Sequence, residues 1–239
     1  MHLQTRIVVA LVFLGILNVH AQDASPSQQS SESQVLTEQA QQELDQQALT
    51  PQEIEQQEYV KWANELWDSM EPQTGNISLP GDVAELNVPD EFYFLNAADS
   101  RRVLEDIWGN PPGSAETMLG MLFPAGATPF ETSSWGVTIE YEQDGYVTDD
   151  DADDINYDDL LTQMKEDTSL NSEERVAQGY DAISLIGWAA EPYYDKASNK
   201  LHWAKEIKFG DAPVNTLNYN IRVLGRKGVL VLNFIAGMD

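Results

Sequence analysis

The sequence predicts an α+β fold, in which an antiparallel β-sheet packs against helices and an N-terminal helix precedes the domain. The first observation is a pair of β-hairpins in the last third of the chain, where apolar segments flank the polar turns 195–199 and 225–228. The second is that helical patterns interrupt the strand patterns at irregular intervals. Consecutive hairpins give antiparallel pairing, and such a sheet buries an apolar face against the interrupting helices.

The first 21 residues have the pattern of a secretory leader. Arg6 supplies a positive charge, residues 7–17 are apolar, and residues 19–21 fit a cleavage site. We therefore expect a signal peptide over 1–21 and an exported protein, periplasmic or in the cell envelope. Left uncleaved, the leader would act as a membrane anchor. Residues 22–49 are rich in Gln and Ser, which predicts a low-complexity linker.

Residues 50–72 predict an amphipathic helix. Thr50 is a suitable N-cap, Pro51 suits the first helical position, and Glu53 completes a capping box. Apolar side chains then recur at roughly helical spacing, and Pro72 ends the pattern. These apolar residues are Ile54, Tyr59, Trp62, Leu66 and Met70.

The α+β domain is expected over 76–239, and its first half contains short strands around one helix. Alternating apolar segments separated by turn residues predict the strands. They lie at 77–79, 84–88, 91–95, 118–123 and 135–141. Helical periodicity predicts a helix over 97–108, which the Gly- and Pro-rich residues 109–113 end.

The second half is predicted to have two helices followed by the two hairpins. The helices are expected at 157–164 and 172–178. The hairpin strands are expected at 182–193 with 200–209, and at 216–224 with 229–235. No sustained repeat is present that would indicate a solenoid.

Charge and cysteine content exclude several classes of protein. The formal net charge is −27, and eight of the 13 basic residues lie from Arg175 onward. Nucleic-acid binding relies on clustered Lys and Arg, and no such cluster occurs. The chain has no Cys, which excludes disulfides, thiolate metal sites and a cysteine nucleophile.

The acidic stretch 140–159 contains a candidate calcium site. Counted from Glu140, oxygen-bearing residues fall at positions one, three, five, seven and twelve, with Gly145 at the sharp turn in position six, as in an EF-hand loop. The candidate metal ligands are Glu140, Glu142, Asp144, Tyr146 through its carbonyl, and Asp151. A solvated acidic loop and a docking site for a basic partner are the alternatives. No cofactor other than this calcium ion is expected.

The sequence gives no position for catalytic chemistry. A hydrolase could use a pair of carboxylates whose environments separate their pKa values, but the acids are too numerous to single out a pair. His202 is the only histidine beyond the leader, and no G-x-S-x-G motif accompanies it. We assign no catalytic residues. Trp108 and Trp135 lie near loops that could rim a cleft, 110–113 and 124–134, although both are expected in the core.

Several strings of residues resemble those of domain-of-unknown-function family 2167, over roughly 76–239. They are 103–113, 140–147, 173–176, 187–189, 194–195, 201–206 and 217–220. The resemblance implies an exported bacterial envelope protein, usually described as membrane-anchored, with no established activity and no catalytic residues. Members usually continue into a hydrophobic C-terminal segment, whereas this sequence stops at Asp239. The order of elements is also similar to that of PsbP-like and Mog1-like α/β/α sandwiches, an analogy of fold alone.

Together these features predict a non-catalytic binding or interaction module of the cell envelope with an acidic surface loop. The alternatives are a hydrolase that uses a carboxylate pair and a calcium-binding module through residues 140–151. Converging polar groups in a pocket would favour the enzyme, whereas a solid core with only surface loops would favour the module. Its partner would be an envelope protein or a ligand; a membrane would be involved only through an uncleaved leader or a missing C-terminal segment.

Overall fold

The computed structural model describes residues 49–148 and 155–238. The expected signal peptide, and all of the expected linker except residue 49, lie outside these residues. The chain divides into two units, residues 1–59 and 60–239. The boundary falls inside the first helix, whose start holds the capping box: the Glu53 carboxylate accepts from the Thr50 amide at 2.8 Å, and the Glu53 amide donates to Thr50 Oγ1 at 3.3 Å.

The described residues contain three α-helices and nine strands. The helices are α1 (Pro51–Asp68), α2 (Ala97–Arg102) and α3 (Tyr157–Ala177). A π-helical turn, Val103–Ile107, extends α2, and a short 3₁₀ turn covers Pro80–Asp82. The strands are β1 (Gly75–Ser78), β2 (Glu85–Val88), β3 (Phe92–Asn96), β4 (Met118–Pro124), β5 (Gly136–Glu142), β6 (Ile183–Asp195), β7 (Lys200–Phe209), β8 (Thr216–Leu224) and β9 (Val229–Gly237).

Seven strands form one antiparallel sheet in the order β3-β4-β5-β9-β8-β7-β6, and β1 and β2 form a separate hairpin. The large sheet therefore consists of two meanders, β3–β5 and β6–β9, which join where β5 pairs with β9. That pairing runs from Gly136 opposite Ile235 to Glu142 opposite Val229. The α+β expectation is confirmed.

The sheet has a front and a back face, defined by cross-strand partners, because residues directly opposite each other point to the same side. The front face carries the row Trp203, Asn220, Asn233 and Thr138. The back face carries the adjacent row Ile221, Leu232 and Ile139. One row is polar and the next apolar, so the two faces differ sharply in chemistry at the centre of the sheet.

The main hydrophobic core covers the front face at the β3–β4 end. Leu66 and Met70 of the α1 region pack with Val103, Met121 and Phe123, the last three fully buried. The Trp67 and Tyr93 rings meet edge-to-face at 5.7 Å, and the Tyr93 hydroxyl donates to the Ala127 carbonyl at 3.0 Å. Burial of each large apolar side chain contributes about 1.5–3 kcal/mol, so this cluster fixes α2 and the end of α1 on the sheet.

A second cluster covers the back face. Leu79, Val88, Phe94 and Ile139 are buried together, and Leu232 packs against them. Val88 ends β2 and Leu79 follows β1, so the small hairpin supplies the cover. The Phe94 ring lies over Gly120, where a side chain would leave it no room.

Helix α3 is a single helix of 21 residues, so the expectation of two helices at 157–164 and 172–178 was wrong. Residues 165–171 are mostly polar, and no residue of α3 is buried, so there is no apolar stripe to show continuity. The Asn156 side chain caps the helix by accepting from the amides of Asp158 and Asp159. The helix lies along the front face of β6, near Ile183 and Leu185.

The likeness to PsbP-like and Mog1-like sandwiches stays a prediction; α2, α3 and the end of α1 lie on the front face of the sheet. None of the described helices is long enough and apolar enough to cross a lipid bilayer. The edge strand β6 is irregular: its pairing with β7 shifts register between Ala190 and Tyr193, around Glu191 and Pro192.

Gly120→Ala is expected to lower the free energy of unfolding by about 1–3 kcal/mol, because the added methyl forces apart a packed core. The new Cβ would lie 2.2 Å from the Phe94 ring and 2.6 Å from the Leu95 carbonyl oxygen. Gly187→Ala is the matched control, since nothing lies within 4 Å of its Cβ position. Urea denaturation measures both variants. Equal stabilities would contradict the packing described for Phe94.

Candidate functional site

A cleft of about 480 Å³ opens on the front face, between the segment that follows α2 and the C-terminal end of α3. Its floor runs diagonally across four strands of the sheet. The floor residues are Glu140 and Thr138 on β5, Asn233 and Ile235 on β9, Asn218 and Thr216 on β8, and Ile207 and Phe209 on β7. One wall holds Leu104, Trp108 and Asn110, and the other holds Arg175 and Asp181.

The centre of the floor contains two buried polar atoms that lack a hydrogen-bond partner. Thr138 is 3% exposed and stands directly opposite Asn233. Neither Thr138 Oγ1 nor Asn233 Oδ1 has a partner within the described part of the chain. A buried polar group without a partner costs about 1–3 kcal/mol, and proteins seldom leave one without a reason.

Two asparagines of β8 extend this polar floor. The Asn220 side-chain amide donates to both the carbonyl and the Oδ1 of Asn218, each at 3.0 Å. Because Asn218 Oδ1 accepts this bond, the Asn218 amide orientation is fixed and its own NH₂ group is left to donate. Asn218 lines the cleft, so the floor offers a hydroxyl, an acceptor and a donor side by side.

Arg175 is held in the wall by the end of α3. Gly179, with a φ of +88°, lets the chain reverse, so that the Gly179 amide donates to Val176 O and the Tyr180 amide to Arg175 O, the pattern of a Schellman cap. This turn carries the Tyr180 ring to 5.8 Å from the Arg175 guanidinium, and Phe209 lies 5.9 Å from it. Nε donates to the Asp181 carbonyl at 3.2 Å, and within residues 49–148 and 155–238 the two terminal nitrogens have no hydrogen-bond or ion-pair partner.

Glu140 marks the other end of the floor. Its Oε2 accepts from the Thr117 hydroxyl at 2.7 Å, which orients the carboxylate. Glu142, two residues on, is instead paired with Arg222 of β8. Arg222 also lies 5.5 Å from the centre of the Trp203 ring, so the ion pair is anchored on the front face beside the cleft.

Lys205 and two tryptophans flank the floor on β6 and β7. Lys205 stands between Trp188 and Asn218 in the cross-strand register. Burial lowers the pKa of Lys205, and the nearby Arg222 charge lowers it further. The indole N–H groups of Trp188 and Trp203 have no hydrogen-bond partner among the residues described. This side of the floor is therefore rich in hydrogen-bond donors, whereas the N-terminal part of the chain is rich in acidic residues.

The predicted calcium ligands are only partly placed by the structure. Glu140 and Glu142 share the front face but have the partners described above. Gly145 has a φ of +73°, as the proposed sharp turn requires, and the Tyr146 side chain is 70% exposed. Asp151 lies outside the described residues, and within 49–148 and 155–238 no group of three or more acidic or histidine residues could hold a metal. The calcium site stays a prediction.

The other sequence candidates lie apart from one another. His202 is on the back face, where its Nδ1 is hydrogen-bonded to the Tyr219 hydroxyl at 2.9 Å and its ring stacks on Tyr193. Trp135 packs against Phe234 on the same face. Trp108 does border the cleft, with its Nε1 donating to the Pro129 carbonyl at 3.1 Å.

Apart from Glu140, the residues that form the cleft floor were not candidates from the sequence, and neither was Arg175. One signal was present: asparagine is depleted in strands, yet Asn218, Asn220 and Asn233 all lie inside apolar strand patterns.

Thr138→Val is expected to raise the free energy of unfolding by about 1 kcal/mol, because it removes a buried hydroxyl without a partner while keeping the side-chain volume. Ser100→Ala is the contrasting control. That hydroxyl is fully buried but donates to the Leu95 carbonyl at 3.0 Å, so its loss should lower stability by about 1 kcal/mol. Chemical denaturation compares them; a loss of stability in Thr138→Val would contradict the unpaired hydroxyl.

Calcium binding through residues 140–151 is tested by calorimetric titration at millimolar calcium. A specific site gives heat and a rise in melting temperature, and Asp144→Ala removes both because it deletes the charge at loop position five. Asp211→Ala, an exposed acid in a different turn, serves as control. An absence of heat and of any thermal shift would remove the calcium hypothesis, and binding that survives Asp144→Ala would move the site elsewhere.

Among the comparisons with known proteins, only the comparison with protein-family models gives a match. A family model described as "protein of unknown function (DUF2167)" matches residues 71–239. No curated protein and no solved structure matches the chain. The family model spans the whole large sheet, the cleft and α3, and it confirms the resemblance seen in the sequence; the membrane-anchored description stays a prediction. The chain belongs to the DUF2167 family.

Proposed function

We propose that this protein is a non-catalytic binding module, exported to the cell envelope, that holds a small polar ligand in the front-face cleft. The observation that carries the proposal is the pair of buried, unpartnered atoms in the floor, Thr138 Oγ1 and Asn233 Oδ1. A ligand that hydrogen-bonds to them would offset a cost that the free protein bears. A concave site with a few convergent polar groups is the usual form of a small-molecule site.

The polar groups at the centre of the floor favour binding over catalysis. Hydroxyl and amide groups supply hydrogen bonds but do not exchange protons near neutral pH. His202, the only histidine among the described residues, lies on the back face, away from the cleft. The Ser114 hydroxyl, at the cleft rim, donates to the Pro111 carbonyl at 2.6 Å and is hydrogen-bonded to no base in the described part of the chain.

A hydrolase remains the second candidate, because the cleft does bring polar groups together. Two carboxylates line it, Glu140 and Asp181. Glycoside hydrolysis needs two carboxyl groups on either side of the scissile bond. Turnover of a chromogenic glycoside or ester that both Glu140→Gln and Asp181→Asn abolish would replace the binding proposal with this one.

The export proposal rests on the leader-like residues 1–21. A positive residue, an apolar run and a small-residue cleavage pattern together favour secretion. The absence of cysteine is compatible with an exported protein and with a cytoplasmic one, so it neither supports nor opposes the export proposal.

The test is a thermal-shift screen of the purified protein against sugars, amino acids, short peptides and organic acids. A true ligand of the cleft should raise the melting temperature of the wild type. It should fail to do so for Thr138→Val, which loses the hydroxyl but is expected to be more stable.

Thr74→Val, at an exposed position, is the matched control and should respond like the wild type. A screen in which no compound shifts the wild type, or in which Thr138→Val responds as fully as the wild type, would contradict the proposed site.

A further inference from the structure

We propose that the ligand of the cleft is a short peptide bound in an extended conformation, with its C-terminal carboxylate on Arg175 and its N-terminal ammonium on Glu140. This inference rests on the proposed binding function and adds the chemical class of the ligand. It follows from the charges at the two ends of the floor and from what lies between them.

Arg175 is built to recognise a carboxylate. Its guanidinium is oriented by the bond from Nε to the Asp181 carbonyl and by two aromatic rings. Its terminal nitrogens make no ion pair with any acid in the described part of the chain. A planar guanidinium whose two terminal NH₂ groups have no acidic partner among the described residues matches a carboxylate in the bidentate geometry. Because the group is already fixed, little conformational entropy is lost on binding.

Glu140 supplies the opposite charge at the other end. One carboxylate oxygen accepts from Thr117, and the other, which has no partner among the described residues, can accept from an ammonium. The remaining acid in the cleft, Asp181, lies in the same wall as Arg175, with its carboxylate against Gly210. The floor therefore runs from one carboxylate to the guanidinium, which matches a zwitterion and disfavours a ligand with charges of one sign.

The length of the floor favours a peptide over a free amino acid. Glu140 is on β5 and Phe209, beneath Arg175, is on β7, three strand intervals away in the sheet order. Neighbouring strands lie about 4.8 Å apart, which gives roughly 14 Å across the sheet. The residue of β7 in register with Glu140 is Leu201, and Phe209 lies eight residues further along that strand, which adds about 27 Å. The two ends are therefore roughly 30 Å apart, and because an extended chain covers at most about 3.5 Å per residue, about eight or nine residues are needed to reach both charges.

The groups between the ends match a peptide backbone. Polar Thr138, Asn233 and Asn218 can exchange hydrogen bonds with backbone amides, since they include both donors and acceptors. Ile235 and Ile207, interspersed with them, offer apolar contacts to ligand side chains. A neutral sugar would use the same polar floor but would leave both charged ends unpaired.

The probe is a pool of nine-residue peptides, Ala-Ser-Ala-X-X-X-Ala-Ser-Ala, with the three central positions randomised. It is prepared in three forms: free at both ends, amidated at the C-terminus, and acetylated at the N-terminus. Maltoheptaose is a neutral probe of similar length. Binding is measured on the full-length protein as the concentration dependence of the thermal shift.

Wild-type protein should bind the free pool and bind the amidated pool about 10- to 100-fold more weakly, because a charge-assisted bidentate pair is lost. Arg175→Gln should bind both pools equally weakly, and Arg175→Lys should recover only part of the difference. Glu140→Gln should remove the preference for the free over the acetylated form. Arg226→Gln, at the exposed β8–β9 turn, is the charge-matched control and should behave as wild type.

Equal binding of free and amidated pools by the wild type would overturn the inference, and this comparison needs no variant to fold. If maltoheptaose binds in a Thr138-dependent manner and peptides do not, the binding module stands and the peptide assignment falls. Peptide binding that Thr138→Val leaves intact would place the peptide outside the cleft and overturn the inference as well.

Discussion

The pairing of β5 with β9 is the interaction on which the rest of the structure depends. It joins two meanders that are otherwise separate, and it does so between residues almost a hundred positions apart in the chain. Closing so long a loop costs entropy before any contact compensates for it. Seven consecutive residue pairs supply that compensation. The same register sets Thr138 opposite Asn233 and brings Glu142 within reach of Arg222, so the cleft floor exists only because this pairing holds.

The two faces of the sheet show how the domain accommodates a polar centre. The back face is apolar at its middle and covered by the β1–β2 hairpin, around Ile139 and Leu232. The front face is apolar only at the β3–β4 end, where Phe123 and Met121 are buried. Between that core and α3 the front face keeps hydroxyl and amide side chains. Strong packing at one end therefore coexists with unsatisfied polar groups at the centre, a distribution typical of binding sites.

Local signals in the sequence predicted the strands and hairpins well, because turn residues and alternation are local properties. The turns at 195–199 and 225–228 are examples. Which strands become neighbours was beyond the sequence, since nothing local links Thr138 to Asn233. The floor residues other than Glu140 were missed for that reason: alternation assigns a polar residue in a strand to solvent, and only the covering helices make the front face a cleft.

Helix α3 illustrates a second limit. Its middle, from Lys165 to Asn171, lacks the apolar spacing that indicates a packed helix, and none of these residues is buried. Caps define its two ends instead: Asn156 at the start and the Gly179 turn at the finish. The second cap also determines where Arg175 lies. The sequence contained Gly179, but the consequence of its turn for Arg175 requires Phe209 of a distant strand.

The irregular pairing of β6 has a consequence for how the protein behaves at high concentration. A long strand at the margin of a sheet exposes a row of amide and carbonyl groups that a second chain could join, which is a route to aggregation. In β6 the register shifts around Pro192, which has no amide hydrogen to offer, and Glu191 adds a charge at the same place. The margin is therefore interrupted where a neighbouring strand would have to continue its ladder. This protects a cysteine-free domain, which has no covalent cross-links to restrain it, from polymerising edge to edge.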